Sequence, residues 1–109
     1  MTVIRHREDS FDAPLEMVAE GVRRVLAERP QYRNTREVEK NTLFKTNIKP
    51  SWWLAGTSLT IKLQAVSGGA KVMAETKSQI FIFGDVFDYY NGYLCDFLED
   101  LRAQIVITK

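Results

Sequence analysis

The sequence predicts an α+β fold, a two-layer sandwich with a curved antiparallel sheet of about five strands and both helices on one face. Three observations carry this. Apolar residues recur at helical spacing in two windows, one early and one late in the chain. Between them, short runs alternate apolar and polar residues, so each strand has one dry face. The resulting order, β-α-β-β-β-β-α, leaves two amphipathic helices and a one-sided sheet, which bury their apolar surfaces together most economically by stacking both helices on that sheet. A chain of 109 residues, 45% hydrophobic and 27% charged, is expected to form one domain over 1–109 with a core that needs no staples.

The elements follow in order. Thr2 to Arg7 is a short strand. Ser10-Phe11-Asp12-Ala13-Pro14 opens a helix, with Asp12 as N-cap, Pro14 in the first turn and Phe11 as a staple. Leu15, Val18, Val22, Val25 and Leu26 form its apolar stripe, while Glu16, Glu20, Arg23 and Arg24 face away. Pro30 ends it near Glu28-Arg29, because the residue before proline avoids the helical region. Strand-like runs then cover Thr35 to Lys40 and Leu43 to Lys49, joined by a turn at Lys40-Asn41-Thr42. The segment from Pro50 to Thr57 interrupts the pattern. In the third run Leu59, Ile61, Leu63 and Ala65 share one face and Thr60, Lys62 and Gln64 the other. Ser67-Gly68-Gly69-Ala70 is a hairpin turn, since glycine reaches the positive φ it needs. The fourth run, Lys71 to Ser78, points Val72, Ala74 and Thr76 inward. A last helix follows Gly84-Asp85, capped by Asp85 or Asp88, with Tyr90, Leu94, Phe97, Leu101 and Ile105 as its stripe. Gly21 and Gly92 interrupt the two helices at a cost of about 1 kcal/mol each relative to alanine. Gly21 invites a close approach by the sheet or the other helix, and Gly92 one by a ligand, a tryptophan or a partner.

The strand–helix–four strands–helix order is similar to one repeat of the TATA-binding-protein-like fold and to part of the helix-grip lipid-binding domains. From about Leu43 to Leu101 the chain also resembles small uncharacterised bacterial domains, through a strand pair with a glycine turn followed by Gly84, Asp85, Phe87, Asp88, Tyr90 and Asn91. These resemblances imply a fold and carry no catalytic residues with them.

Composition excludes several chemistries. One cysteine, Cys95, and one histidine, His6, leave no intrachain disulfide, no cysteine-based zinc site and no triad. Asp85 and Asp88 are explained by capping, and Asp96, Glu99 and Asp100 by the solvated face of a helix. No calcium loop, phosphate-binding glycine loop or other metal or cofactor site emerges. No basic, apolar leader or membrane-length run is present, so the expectation is a cytoplasmic protein with Cys95 reduced. On these grounds the chain is expected not to be an enzyme.

Two surfaces remain as candidates. The first is an aromatic corner: Trp52 and Trp53 in a proline- and glycine-bounded loop, with Phe81, Phe83, Phe87, Tyr89 and Tyr90 around the entry to the last helix. Adjacent residues of a strand cannot both face its core, so some of these rings are exposed or cover an edge. Such a surface suits an apolar small molecule, a lipid tail, a protein partner or a second copy of the chain. The alternative is that the loop folds back and caps the core. The second surface is basic. Residues 41–79 carry Lys45, Lys49, Lys62, Lys71 and Lys77 against Glu75 alone, and the segment before is neutral and the one after acidic. Lysines on an open sheet face suit a nucleic acid or another anion. The competing reading, which the absence of an arginine cluster and of interleaved aromatics favours, is a solvated face whose lysines deter edge pairing.

Overall fold

The structure is a computed structural model that describes the backbone of residues 2–48, 57–79 and 89–108, and the side chains within 4–48, 57–77, 92 and 94–105. The elements run β1 (Thr2–Phe11), α1 (Leu15–Glu28), β2 (Tyr32–Glu39), β3 (Leu43–Ile48), β4 (Thr57–Val66), β5 (Gly69–Gln79) and α2 (Tyr89–Thr108). The five strands form one antiparallel sheet in the order β1-β5-β4-β3-β2. Both helices lie on the same face, α1 against β2, β4 and β5, and α2 against β1, β5 and α1. The two-layer α+β expectation holds.

Strand alternation explains how the layers adhere. Phe44 and Ile48 of β3, Leu59, Ile61 and Leu63 of β4, and Ala70, Val72 and Ala74 of β5 are buried and share the helix-facing side. They meet Val18, Val22, Val25 and Leu26 of α1 and Leu94, Phe97, Leu98, Leu101 and Ile105 of α2 in one core. Gly21 is the contact point between the helices. A Cβ there would lie 3.1 Å from Leu101 Cδ1 and 3.4 Å from Ile105 Cγ1, so the glycine serves helix–helix approach. At Gly92, by contrast, a Cβ would meet nothing within 4 Å among the described residues, and Trp52 and Trp53 lie outside them.

Several boundaries differ from the sequence expectation. Strand β1 runs on to Phe11, because its whole length pairs with β5, from Thr2 opposite Gln79 to Phe11 opposite Ala70. Phe11 is therefore a buried strand end beneath the Arg102 guanidinium, 4.7 Å from its ring centre, and not a helix staple. The cap position of α1 is Pro14, which makes no side-chain cap hydrogen bond, so Asp12 does not cap the helix. Extended chain pairing has displaced the local capping signal. The end of α1 at Glu28, with Arg29 extended, is as Pro30 requires. Strand β2 begins at Tyr32 and is irregular, with register shifts between Arg33 and Arg36 and between Glu37 and Glu39 and a positive φ at Asn34. The start of α2 expected at Gly84-Asp85 to Asp88 lies outside the described residues.

The turn between β4 and β5 has a specific steric cause. Gly68 takes φ +84°, and a Cβ on Gly69 would lie 2.0 Å from the Phe11 carbonyl oxygen. The glycine pair lets the hairpin tip turn and lets the end of β1 pass against it.

Candidate functional site

The helix-facing side of the sheet is not uniform along the strands. In register order from the β4–β5 turn, the inward rows read Ala65–Ala70–Phe11, Leu63–Val72–Asp9, Glu37–Phe44–Ile61–Ala74–Arg7, Thr46–Leu59–Thr76–Arg5, and Tyr32–Ile48–Thr57. The central strands are apolar at the turn end. At the other end they bury Thr46, Thr57 and Thr76.

These threonines are not equivalent. Thr46 Oγ1 lies 2.9 Å from Thr35 Oγ1 and donates to the Arg33 carbonyl at 3.1 Å. Thr76 is 1% exposed and, among the described residues, its Oγ1 has no hydrogen-bond partner. A hydroxyl so placed costs about 1–3 kcal/mol against the same shape without it, so its position calls for an explanation. Beside this row Tyr32 is buried, its ring edge-on to Phe97 with centres 6.3 Å apart. Burial, with help from Asp100 and Asp96 nearby, pushes its phenol up to about 12.

Chain connectivity focuses attention on the same end. Ile48, Thr57 and Ser78 are register partners. From there the chain leaves β3 toward Trp52 and Trp53, re-enters at β4, and leaves β5 toward Phe81, Phe83 and Phe87. Those five aromatics and Lys49 lie outside the described residues, as do the side chains of Tyr89 and Tyr90.

The other expected residues are placed. Lys45, Lys62 and Lys77 are exposed on the face opposite the helices, and Lys71, half-buried there, bonds Glu8 at 3.1 Å. Sequence reasoning missed Arg33 and Arg36, which pair in register with Asn47 and Lys45 and so join that face. His6 is exposed on it as well. Cys95 is half-buried on α2 and its Sγ accepts from Arg7 Nη1. Together with Asp9, which accepts from Arg102, this makes the β1–α2 seam polar. Asp100 bonds Arg29 at 3.2 Å, while Asp96 and Glu99 are exposed.

A further polar cluster was also missed. Arg23 of α1 holds Glu37 of β2 through two bonds, of 2.9 and 2.8 Å, and also donates to Asn41 Oδ1 and, at 3.2 Å, to Glu20. The Arg23 guanidinium and the Asn41 backbone N–H hold the Glu37 carboxyl down to about 2. The spacing of these residues in sequence gives no hint of the contact, because a β-turn intervenes. The cluster fastens α1 to the β2–β3 hairpin.

An antiparallel sheet with two helices on one face recurs in several solved structures. The solved structure of Ara h 8.0201 is similar at a TM-score of 0.64 and 13% identity, covering 96% of this chain and 95% of that one. A protein of unknown function from Staphylococcus aureus is similar at 0.63 and 10% identity, over 99% and 96% of the two chains. The di-domain ARO/CYC BexL from the BE-7585A biosynthetic pathway is similar at 0.56 and 13% identity, and this chain spans 48% of it. At these identities the likeness is one of fold. No protein-family model matches the chain, and no curated protein matches it.

These comparisons revise two expectations. They support the coarse part of the resemblance, an antiparallel sheet with helices upon it and a likeness to small uncharacterised proteins, while the TATA-binding-protein-like part finds no support in them. The expectation that the chain is not an enzyme is overturned. ARO/CYC proteins of biosynthetic pathways, BexL and StfQ, carry this fold, so the lack of a recognisable catalytic motif was no ground for excluding catalysis. Among the described residues, no helix is long and apolar enough to cross a membrane.

Proposed function

We propose that the protein binds a small, largely apolar molecule carrying one hydrogen-bonding group, held between the inner side of the sheet and α2 at the threonine end. The observation that carries this reading is the buried hydroxyl of Thr76, which has no hydrogen-bond partner among the described residues. An apolar site needs few polar groups, but it needs them placed to orient the ligand. Thr76 supplies such a group, Thr57 is its diagonal neighbour on β4, Thr46 lies across Leu59 on β3, and Leu59, Ile48 and Phe97 supply apolar wall. The chain connection of this end to the segments that carry Trp52, Trp53, Phe81, Phe83, Phe87, Tyr89 and Tyr90, which lie outside the described residues or side chains, supports the same reading. The fold's occurrence in Ara h 8.0201 and in ARO/CYC proteins is compatible with a ligand site in this layer.

The test uses Thr76→Val, which keeps the shape and removes the hydroxyl. Titration calorimetry with 2-naphthol, a neutral aromatic with one hydroxyl, is expected to show saturable binding to the native protein. Binding should weaken about tenfold in the variant, the size of one lost hydrogen bond, while the variant melts no lower. Equal affinity in both proteins, or no saturable binding in the native one, overturns the reading.

A further inference from the structure

The face of the sheet opposite the helices carries a second site. Its rows, read across the register, run His6–Glu75–Thr60–Lys45–Arg36 and Glu8–Met73–Lys62–Leu43–Glu39. Arg36 stands directly opposite Lys45. Like charges in that relation repel, and strand pairs ordinarily avoid it. Lys62 is the diagonal neighbour of Lys45, within about 7–8 Å, so three long cationic side chains rise from adjacent positions. All three are exposed, and among the described residues none makes an ion pair. Elsewhere the protein pairs its charges readily, as Arg23 with Glu37, Arg29 with Asp100 and Lys71 with Glu8 demonstrate.

Lys45 and Lys62 also line a hollow of about 560 Å³, floored by Thr60, Leu43 and Met73. Its rim also holds Glu75, one strand from Lys62 and two from Lys45, and Glu8, which Lys71 holds at 3.1 Å. The three cations thus gather on β2, β3 and β4, with carboxylates around them: Glu39 at the β2 edge, Glu75 on β5 and Glu8 on β1. A polyanionic strand laid across the whole face would run over all three carboxylates, whereas a small anion seated between Arg36, Lys45 and Lys62 meets three cations at once.

We propose that Arg36, Lys45 and Lys62 bind the phosphate group of a small soluble phosphorylated molecule, whose remainder rests on Leu43, Thr60 and Met73. A phosphate suits this set because its several oxygens can accept from the arginine fork and from two lysine point charges at once. Its charge also removes the repulsion between Arg36 and Lys45. The site is separate from the threonine end, which lies on the opposite side of the sheet.

The experiment is an amide-shift NMR titration with inorganic pyrophosphate at low salt, on the native protein and on Lys45→Gln/Lys62→Gln. Both lysines are exposed, so the variant should melt within a few degrees of the native protein. Saturable shifts centred on Arg36, Lys45, Thr60 and Lys62, weakening with added salt and at least tenfold weaker in the variant, are expected. Absence of saturation overturns the proposal, as do equal affinities in the two proteins or shifts spread evenly to Lys77 and Arg24. Tighter binding to a single-stranded oligonucleotide, or to vesicles containing phosphatidylglycerol, than to pyrophosphate would also overturn it, by assigning the face to a polyanion or a membrane.

Discussion

The two ends of the sheet's inner side are built differently. At the β4–β5 turn, Phe11, Ala13, Ala70, Val72 and Leu63 close the layer with apolar side chains, and Gly69 lets the chain of β1 pass in contact. At the other end, Thr46, Thr57 and Thr76 occupy inward positions and Tyr32 stands beside them. Both ends are buried and both belong to the same strands. Strand formation thus does not account for the difference, since an inward valine would serve β5 at position 76 at least as well as threonine. The comparison teaches that one end is optimised for packing, whereas the other retains polar groups that packing alone does not reward.

That contrast can be broken at several points. The largest effect is expected at the closed end. Gly69→Ala places a methyl on the Phe11 carbonyl, and denaturant unfolding should show a loss of about 3 kcal/mol, the upper part of the usual overpacking range, with 2-naphthol affinity unchanged in the remaining folded protein. A loss below about 1 kcal/mol would mean that β1 shifts freely and that this end is not tightly closed.

Next comes alkaline pH at the polar end. The Tyr32 phenol is pushed up to about 12 from 10.0. Folding therefore favours its neutral form. The associated stability is complete below pH 10 and is lost as pH rises from 10 through about 12, a total of roughly 2 kcal/mol. Tyr32→Phe should flatten that part of the stability profile. An unchanged slope would place the phenol in water.

A smaller effect, of opposite sign to that of Gly69→Ala, is expected for Thr76→Val, a gain of about 1 kcal/mol in unfolding free energy. A loss would show that the hydroxyl is satisfied in solution and would remove the contrast between the ends.

The smallest effect lies outside both ends, at the clasp between α1 and the β2–β3 hairpin. Glu37 titrates near 2 when folded, below its ordinary 4.5. Its contribution is present above pH 4.5 and is lost as pH falls from 4.5 toward 2. Arg23→Gln should weaken the acid dependence over that window, measured by thermal melts between pH 2 and 6, and leave the melt at pH 7 only slightly lowered, as for an exposed pair.

Much of this molecule is readable from local pattern. Leu59, Ile61 and Leu63 declare the dry side of β4 by alternation, and Val18, Val22 and Val25 declare that of α1 by helical spacing. Pro30 announces the end of α1. Even Thr76 is placed inward by its parity with Val72 and Ala74. What local pattern misjudged was the stretch from Ser10 to Pro14, where capping signals in Asp12 and Phe11 lost to ten residues of continuous pairing with β5. Pairing wins because each added ladder position satisfies backbone groups that a cap satisfies only once. The candidate sites were less legible. Arg36 and Lys45 lie in separate runs, and the shift in β2 that sets them opposite each other has no signature in composition.

The sequence by itself determined the order of elements, the buried side of each and the need for glycine at the β4–β5 turn, because these depend on neighbours a few residues away. Only the tertiary structure decided which inward residues share an end and which cations share a hollow. Register between distant strands sets those relations, and it is settled by the whole sheet closing over one core. Thr76 without a partner among the described residues, and Arg36 facing Lys45, are facts of that register.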